Sequence, residues 1–151
     1  MAVKSGFKAN FTADQFRKEL EKRAAKIDQA IISQLQYLGE ELVNHARTLD
    51  TYKDQTGNLR ASIGYVIVVN GKVYNYDFVG GKLGASTGRQ LAEELASKAL
   101  KGYALIVVAG MDYAAAVESK GYDVLASAEM LASREFPQLK ARMLSMINKM
   151  K

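Results

Sequence analysis

The apolar residues Phe16, Leu20, Ala24, Ile27, Ile31, Leu35, Leu38, Leu42 and Ala46 follow one another at steps of three or four. That spacing puts them on one face of a single α-helix. Thr12 and Gln15 have the form of a capping box at its start, and no proline and no glycine before Gly39 interrupts it, so the helix is expected to reach about Thr48. At 1.5 Å per residue it would run roughly 50 Å. A small domain needs less than that to cover its sheet, so one end is expected to project or to pack on a neighbour.

Beyond residue 62 the period changes. Residues 63–78 are rich in β-branched and aromatic side chains around Asn70-Gly71, a pair that accepts the positive φ angles of a two-residue type I′ hairpin turn. Such a turn sets Ile67 opposite Tyr74, Tyr65 opposite Tyr76 and Ile63 opposite Phe78 on one apolar face. The other face pairs Val68 with Val73, Val66 with Asn75 and Gly64 with Asp77, and is expected to meet solvent or a polar partner. Residues 80–88 read as a flexible glycine-rich loop. Thr87 and Gln90 would then cap a short helix with Leu91, Leu95 and Leu100 inward and Gly102 as its stop.

Residues 103–111 are apolar at both parities, which suits a strand in the middle of the sheet, beside the hairpin. Residues 126–151 return to a helical pattern through Met130, Leu131, Phe136, Leu139, Met143, Met146, Ile147 and Met150, with Pro137 either starting a second helix or kinking one. The expected fold is α+β: a long N-terminal helix and C-terminal helices packed on a small antiparallel β-sheet that contains the Asn70-Gly71 hairpin. One domain over residues 1–151 is expected, with 1–11 as a flexible arm.

The chemistry on offer is sparse. The chain has no cysteine and one histidine, which removes thiolate metal sites and thiol nucleophiles. His45 stands one turn after Glu41, but no further ligand completes a shell, and it reads as a helix surface residue. Gly80-Gly81-Lys82 falls short of a phosphate loop because Leu83 stands where serine or threonine is required. Asp50, Asp54, Asp112, Glu118 and Asp123 could in principle hold magnesium in a small nuclease, yet their spacing singles out no site. Asp54 and Thr56 are better read as bracing a turn at Gly57-Asn58. The formal charge of +5 would suit a DNA-binding module. Along the first helix, however, bases alternate with acids, Asp14 with Lys18 and Glu19 with Arg23 at helix-pair spacing; only residues 134–151 are one-sidedly basic. The longest apolar run is far below the roughly 20 residues that span a bilayer, and the N-terminus lacks a secretory apolar stretch, so a cytoplasmic protein without membrane contact is expected.

Two segments carry a resemblance. Asp54-Gln55-Thr56-Gly57-Asn58-Leu59-Arg60-Ala61-Ser62-Ile63 and Tyr113-Ala114-Ala115-Ala116-Val117-Glu118-Ser119-Lys120-Gly121-Tyr122-Asp123-Val124-Leu125 resemble the tail-completion or head–tail joining (minor capsid, neck) proteins of long-tailed bacteriophages. That family runs from a long N-terminal helix through D-x-T-G-x-L-R-x-S-I and a hairpin to a strand ending in Y-A-x-x-V-E before a glycine. This chain departs from it at Ala116, where many relatives carry an aromatic residue, and in the two residues between Glu118 and Gly121. The resemblance implies a structural subunit of the virion, assembled in the host cytoplasm from a phage or prophage gene. It would form a homo-oligomeric ring between connector and tail tube, touching channel DNA at most non-specifically. No catalytic residue, metal, cofactor or small-molecule substrate is implied. The motif or assembly residues carried over are Asp54, Thr56, Gly57, Leu59, Arg60, Ser62, Tyr113, Val117, Glu118 and Gly121. The charged members Arg60 and Glu118 are expected to pair with each other, within a subunit or between neighbours.

Overall fold

The long apolar stripe folds as one helix, α1 (Ala13–Arg47), opened by a complete capping box between Thr12 and Gln15. The computed structural model describes residues 6, 8, 10–49, 52–54, 56–79, 82–99, 101–111 and 114–150. After α1 come α2 (Asn58–Ala61), β1 (Ile63–Val69), β2 (Lys72–Phe78), α3 (Lys82–Ala96), β3 (Tyr103–Ala109), α4 (Ala114–Ser119) and α5 (Ala126–Asn148). The three strands form one antiparallel sheet in the order β2-β1-β3. This is the α+β arrangement expected: a long N-terminal helix and C-terminal helices on a small sheet with the Asn70-Gly71 hairpin.

The middle strand is β1, with six consecutive buried residues, and not residues 103–109, which form the sheet's other edge. Both faces of β1 are covered. Ile63, Tyr65 and Ile67 pack into a core with α1 and α5, while Val66 and Val68 pack against Ala92 and Ala96 of α3. The face expected to meet solvent is therefore buried under α3. A hairpin alone gives no hint of a helix on its second side, because that helix comes from later sequence.

Hairpin register holds at the turn, Val69 opposite Lys72 and Val68 opposite Val73, and then slips by one at a bulge between Ile67 and Val68. Ile67 consequently lies opposite Asn75, Tyr65 opposite Asp77 and Gly64 opposite Phe78, in place of Tyr74, Tyr76 and the Ile63–Phe78 pair. One extra residue on a strand moves everything beyond it to the other face. Here it delivers Tyr76 and Phe78 to the α3 side and Asp77 to the α1 side, where Asp77 meets Arg47.

Residues 82–88 are helical and not loop: α3 starts at Lys82. Gly80 and Gly81 lie outside the described residues. Thr87 is inside the helix, its hydroxyl donating to Leu83 O, and so caps nothing. The glycines serve close packing. A Cβ on Gly84 would stand 2.3 Å from Asn58 O, and one on Gly88 2.3 Å from Ser62 O. With Ala92 and Ala96 they make a stripe of small residues at four-residue steps, which lets α3 lie directly on α2 and the sheet. Leu100 is outside the described residues. Gly102 sits at φ 75° ahead of β3 and bonds the hairpin turn, exchanging hydrogen bonds with Asn70, so it stops no helix.

α5 runs unbroken through Pro137, and no second helix starts there. α1 and α5 pack together through the C-terminal half of α1. Its N-terminal half extends past the body: from Ala13 to Gln29 no residue is buried. In that stretch Arg23 pairs with Glu19 as spaced, but Asp14 pairs with Arg17 and not Lys18. Such exposed pairs add little stability.

Candidate functional site

The first motif is a set of polar staples around α2. Gly57 takes φ 74°, a left-handed angle that costs a side-chain-bearing residue steric energy. This turn aims the N–H groups of α2 back at Asp54, whose carboxylate accepts from Leu59 N (3.3 Å) and Arg60 N (2.8 Å). Thr56 Oγ1 accepts from Asn58 N at 3.3 Å. A carboxylate at a helix start satisfies amides that lack intrahelical acceptors. Leu59 is fully buried beneath this turn. The Arg60 guanidinium donates to Leu49 O (2.7 Å) and lies 4.7 Å from the centre of the Tyr52 ring.

Ser62 closes the motif in the core. Its hydroxyl donates to Leu59 O at 2.7 Å and accepts from Met111 N at 3.3 Å, while its carbonyl accepts from Gly110 N at 3.2 Å. The first motif is thus bonded to the backbone that leads straight into the second. Beside this junction Arg47 donates through Nε and Nη2 to Ile63 O (3.1 and 2.7 Å) and stands 3.9 Å from Asp77. Burial lowers the Arg47 pKa below its ordinary value, with Asp77 working the other way.

The second motif caps α5. Tyr113 lies outside the described residues. Val117 packs against the main core, and Gly121, at φ 87°, turns the chain back. Glu118 Oε1 accepts from Val124 N (3.4 Å), Leu125 N (3.0 Å) and Ala126 N (2.7 Å), the open amides at the start of α5. The expected Arg60–Glu118 pair does not form within the chain: each side chain is committed elsewhere, Arg60 to Leu49 and Tyr52, Glu118 to α5. Charged residues set on separate turns found nearer backbone partners, whose positions sequence spacing does not encode.

Of the acidic candidates, the three described ones are each committed to backbone amides. Asp54 and Glu118 are occupied by amides, Asp123 accepts from Ser127 N at 3.1 Å, and Asp50 and Asp112 lie outside the described residues. Among the described residues no three His, Asp or Glu side chains gather as a metal site. His45 bonds Ser127 Oγ at 2.7 Å, clipping α1 to the first turn of α5. Sequence reasoning passed over Arg47 and Ser127. A basic residue in the last turn of α1 was the only local sign of the first, and the second showed none.

Comparison with protein-family models, with curated proteins and with solved structures found no match.

Proposed function

We propose that this chain is a structural subunit of the head–tail joint of a long-tailed bacteriophage, assembling as a ring between connector and tail tube. One observation supports the reading above others. Buried Ser62 ties the first motif to Gly110 and Met111, the backbone just ahead of the second, and the polar groups of Asp54, Ser62 and Glu118 are used on backbone amides and carbonyls. Residues spent in this way hold a shape; they are not poised for proton transfer or nucleophilic attack, which need a side chain facing a substrate. A subunit that must present a rigid surface to several neighbours has this requirement.

The test is co-sedimentation of the purified protein with the tail-tube and connector proteins encoded beside its gene. Binding to at least one of them, with mixed assemblies larger than either component, is the expected outcome. Absence of binding to both removes the reading. Contact with DNA is a second reading, favoured by the exposed bases Lys140 and Arg142 on α5 and Lys149 just after it. It requires DNA affinity that falls steeply between low and physiological salt.

A further inference from the structure

Among the described residues an apolar helix face and an apolar groove both stand open. The first is on the projecting half of α1. Phe16 and Leu20 are 54% and 52% exposed, one turn apart, and Phe11 leans on Phe16 with ring centres 5.8 Å apart. They continue the stripe that Leu35, Leu38 and Leu42 bury further along the same helix. The second is a groove of about 630 Å³ between α1, the edge strand β3 and α5, in which the half-buried Leu105, Val107 and Ala132 and the exposed Phe136 stand above the buried Leu35 and Leu38. It has the size and the apolar lining that receive two or three large side chains.

The groove cannot be filled by its own helix. α1 is continuous, and Phe16 precedes Leu35 by a run of helix roughly 28 Å long. A straight rod cannot bring its own tip back against its middle. The tip's i, i+4 apolar anchors fit the way an amphipathic helix lies in a groove, with aromatic residues as the main contacts. We infer that the occupant is a second copy of this chain: the Phe11–Leu20 face of one subunit docks in the β3–α5 groove of the next. The contact stands on these two surfaces; its head-to-tail repetition into a ring rests on the head–tail joint reading.

Because the chain lacks cysteine, the contact can be read by cross-linking in the 151-residue chain. Ala24, one turn beyond Leu20 on α1, and Ser133, on the groove rim, are both exposed, so A24C and S133C leave the core and the Phe16 and Leu20 anchors intact. When the two single variants are mixed and oxidised, A24C is expected to join S133C about tenfold more than it joins a control, S97C just past the end of α3, because docking raises the local concentration. The double variant A24C/S133C is expected to give a ladder of dimers, trimers and larger species, and F16A added to it to abolish the ladder. Equal yields with S97C overturn the inference, as does a predominance of A24C–A24C pairs, which would mean tip against tip. A double variant that stops at closed dimers keeps the docking and overturns the ring. A ladder from a protein that binds neither tail tube nor connector keeps the docking and overturns the head–tail reading.

Discussion

At Glu118 one carboxylate oxygen serves three amides, and at Asp54 two oxygens serve two. Removal of either leaves helix-start N–H groups without partners. Glu118→Ala and Asp54→Ala are each expected to cost on the order of 1–2 kcal/mol, read as a lower urea midpoint with an unchanged slope. A surface charge without these bonds would cost a few tenths or nothing. Tyr103 makes a different prediction. Its hydroxyl donates to Asp28 of α1; that bond first, then burial and the carboxylate's charge, pushes the phenol pKa from 10.0 up to about 12. Since the folded value is the raised one, the stabilisation is whole below about pH 10 and is lost as pH climbs through about 12. Unfolding titrations of Y103F are expected to lack this part of the alkaline decline; identical curves for both proteins would remove the role of the bond.

Among the elements, α3 makes the sharpest claim, because residues 82–88 have two readings with opposite consequences. As a flexible loop, Gly88→Ala would be harmless or mildly stabilising. As a helix lying on Ser62 O and the Phe78 ring, the new methyl meets atoms at 2.3 and 2.7 Å, one of them backbone. The gain in helix propensity is about 1 kcal/mol, whereas overpacking of a fixed site costs about 1–3 kcal/mol. Net destabilisation is expected, measured by urea unfolding, with Gly84→Ala behaving alike. The bulge in β1–β2 acts at the same scale: one slipped residue brings Asp77 to Arg47 and sets Tyr76 under Arg89, 4.0 Å from the ring centre.

For the whole molecule the main asymmetry is along α1. Its C-terminal half is locked by Val43 and Ala46, both fully buried, and by the Arg47 and His45 bonds, whereas its N-terminal half buries no residue and meets the body only near its end, where Asp28 accepts from Tyr103. An unsupported helix of this length is marginal in water. Amide hydrogen exchange in the dilute protein is therefore expected to be fast over residues 13–29 and slow from Ile32 onward, with a boundary near Ala30. On assembly the fast segment is expected to become protected. Protection that starts at Ala13 in the isolated subunit would mean that the tip is covered without a neighbour.

Local chemistry was sufficient for what repeats or turns: the α1 stripe, its Thr12 capping box, the Asn70-Gly71 turn and the antiparallel strands all follow from patterns within a few residues. The role of Asp54 as a brace belongs here too, since its partners lie five and six residues away. What the sequence left open, or pointed to wrongly, depends on which element lies against which. Two faces of β1 are buried because α3 returns over it; Gly84 and Gly88 are packing surfaces because α2 and Ser62 lie beneath them; Arg60 and Glu118 do not pair within the chain because each has a backbone partner within reach. The length of α1 was legible as an excess of helix over the sheet it could cover. Only the tertiary structure decided that the excess is the N-terminal half, because burial is a property of neighbours and a periodic stripe looks the same whether or not anything covers it.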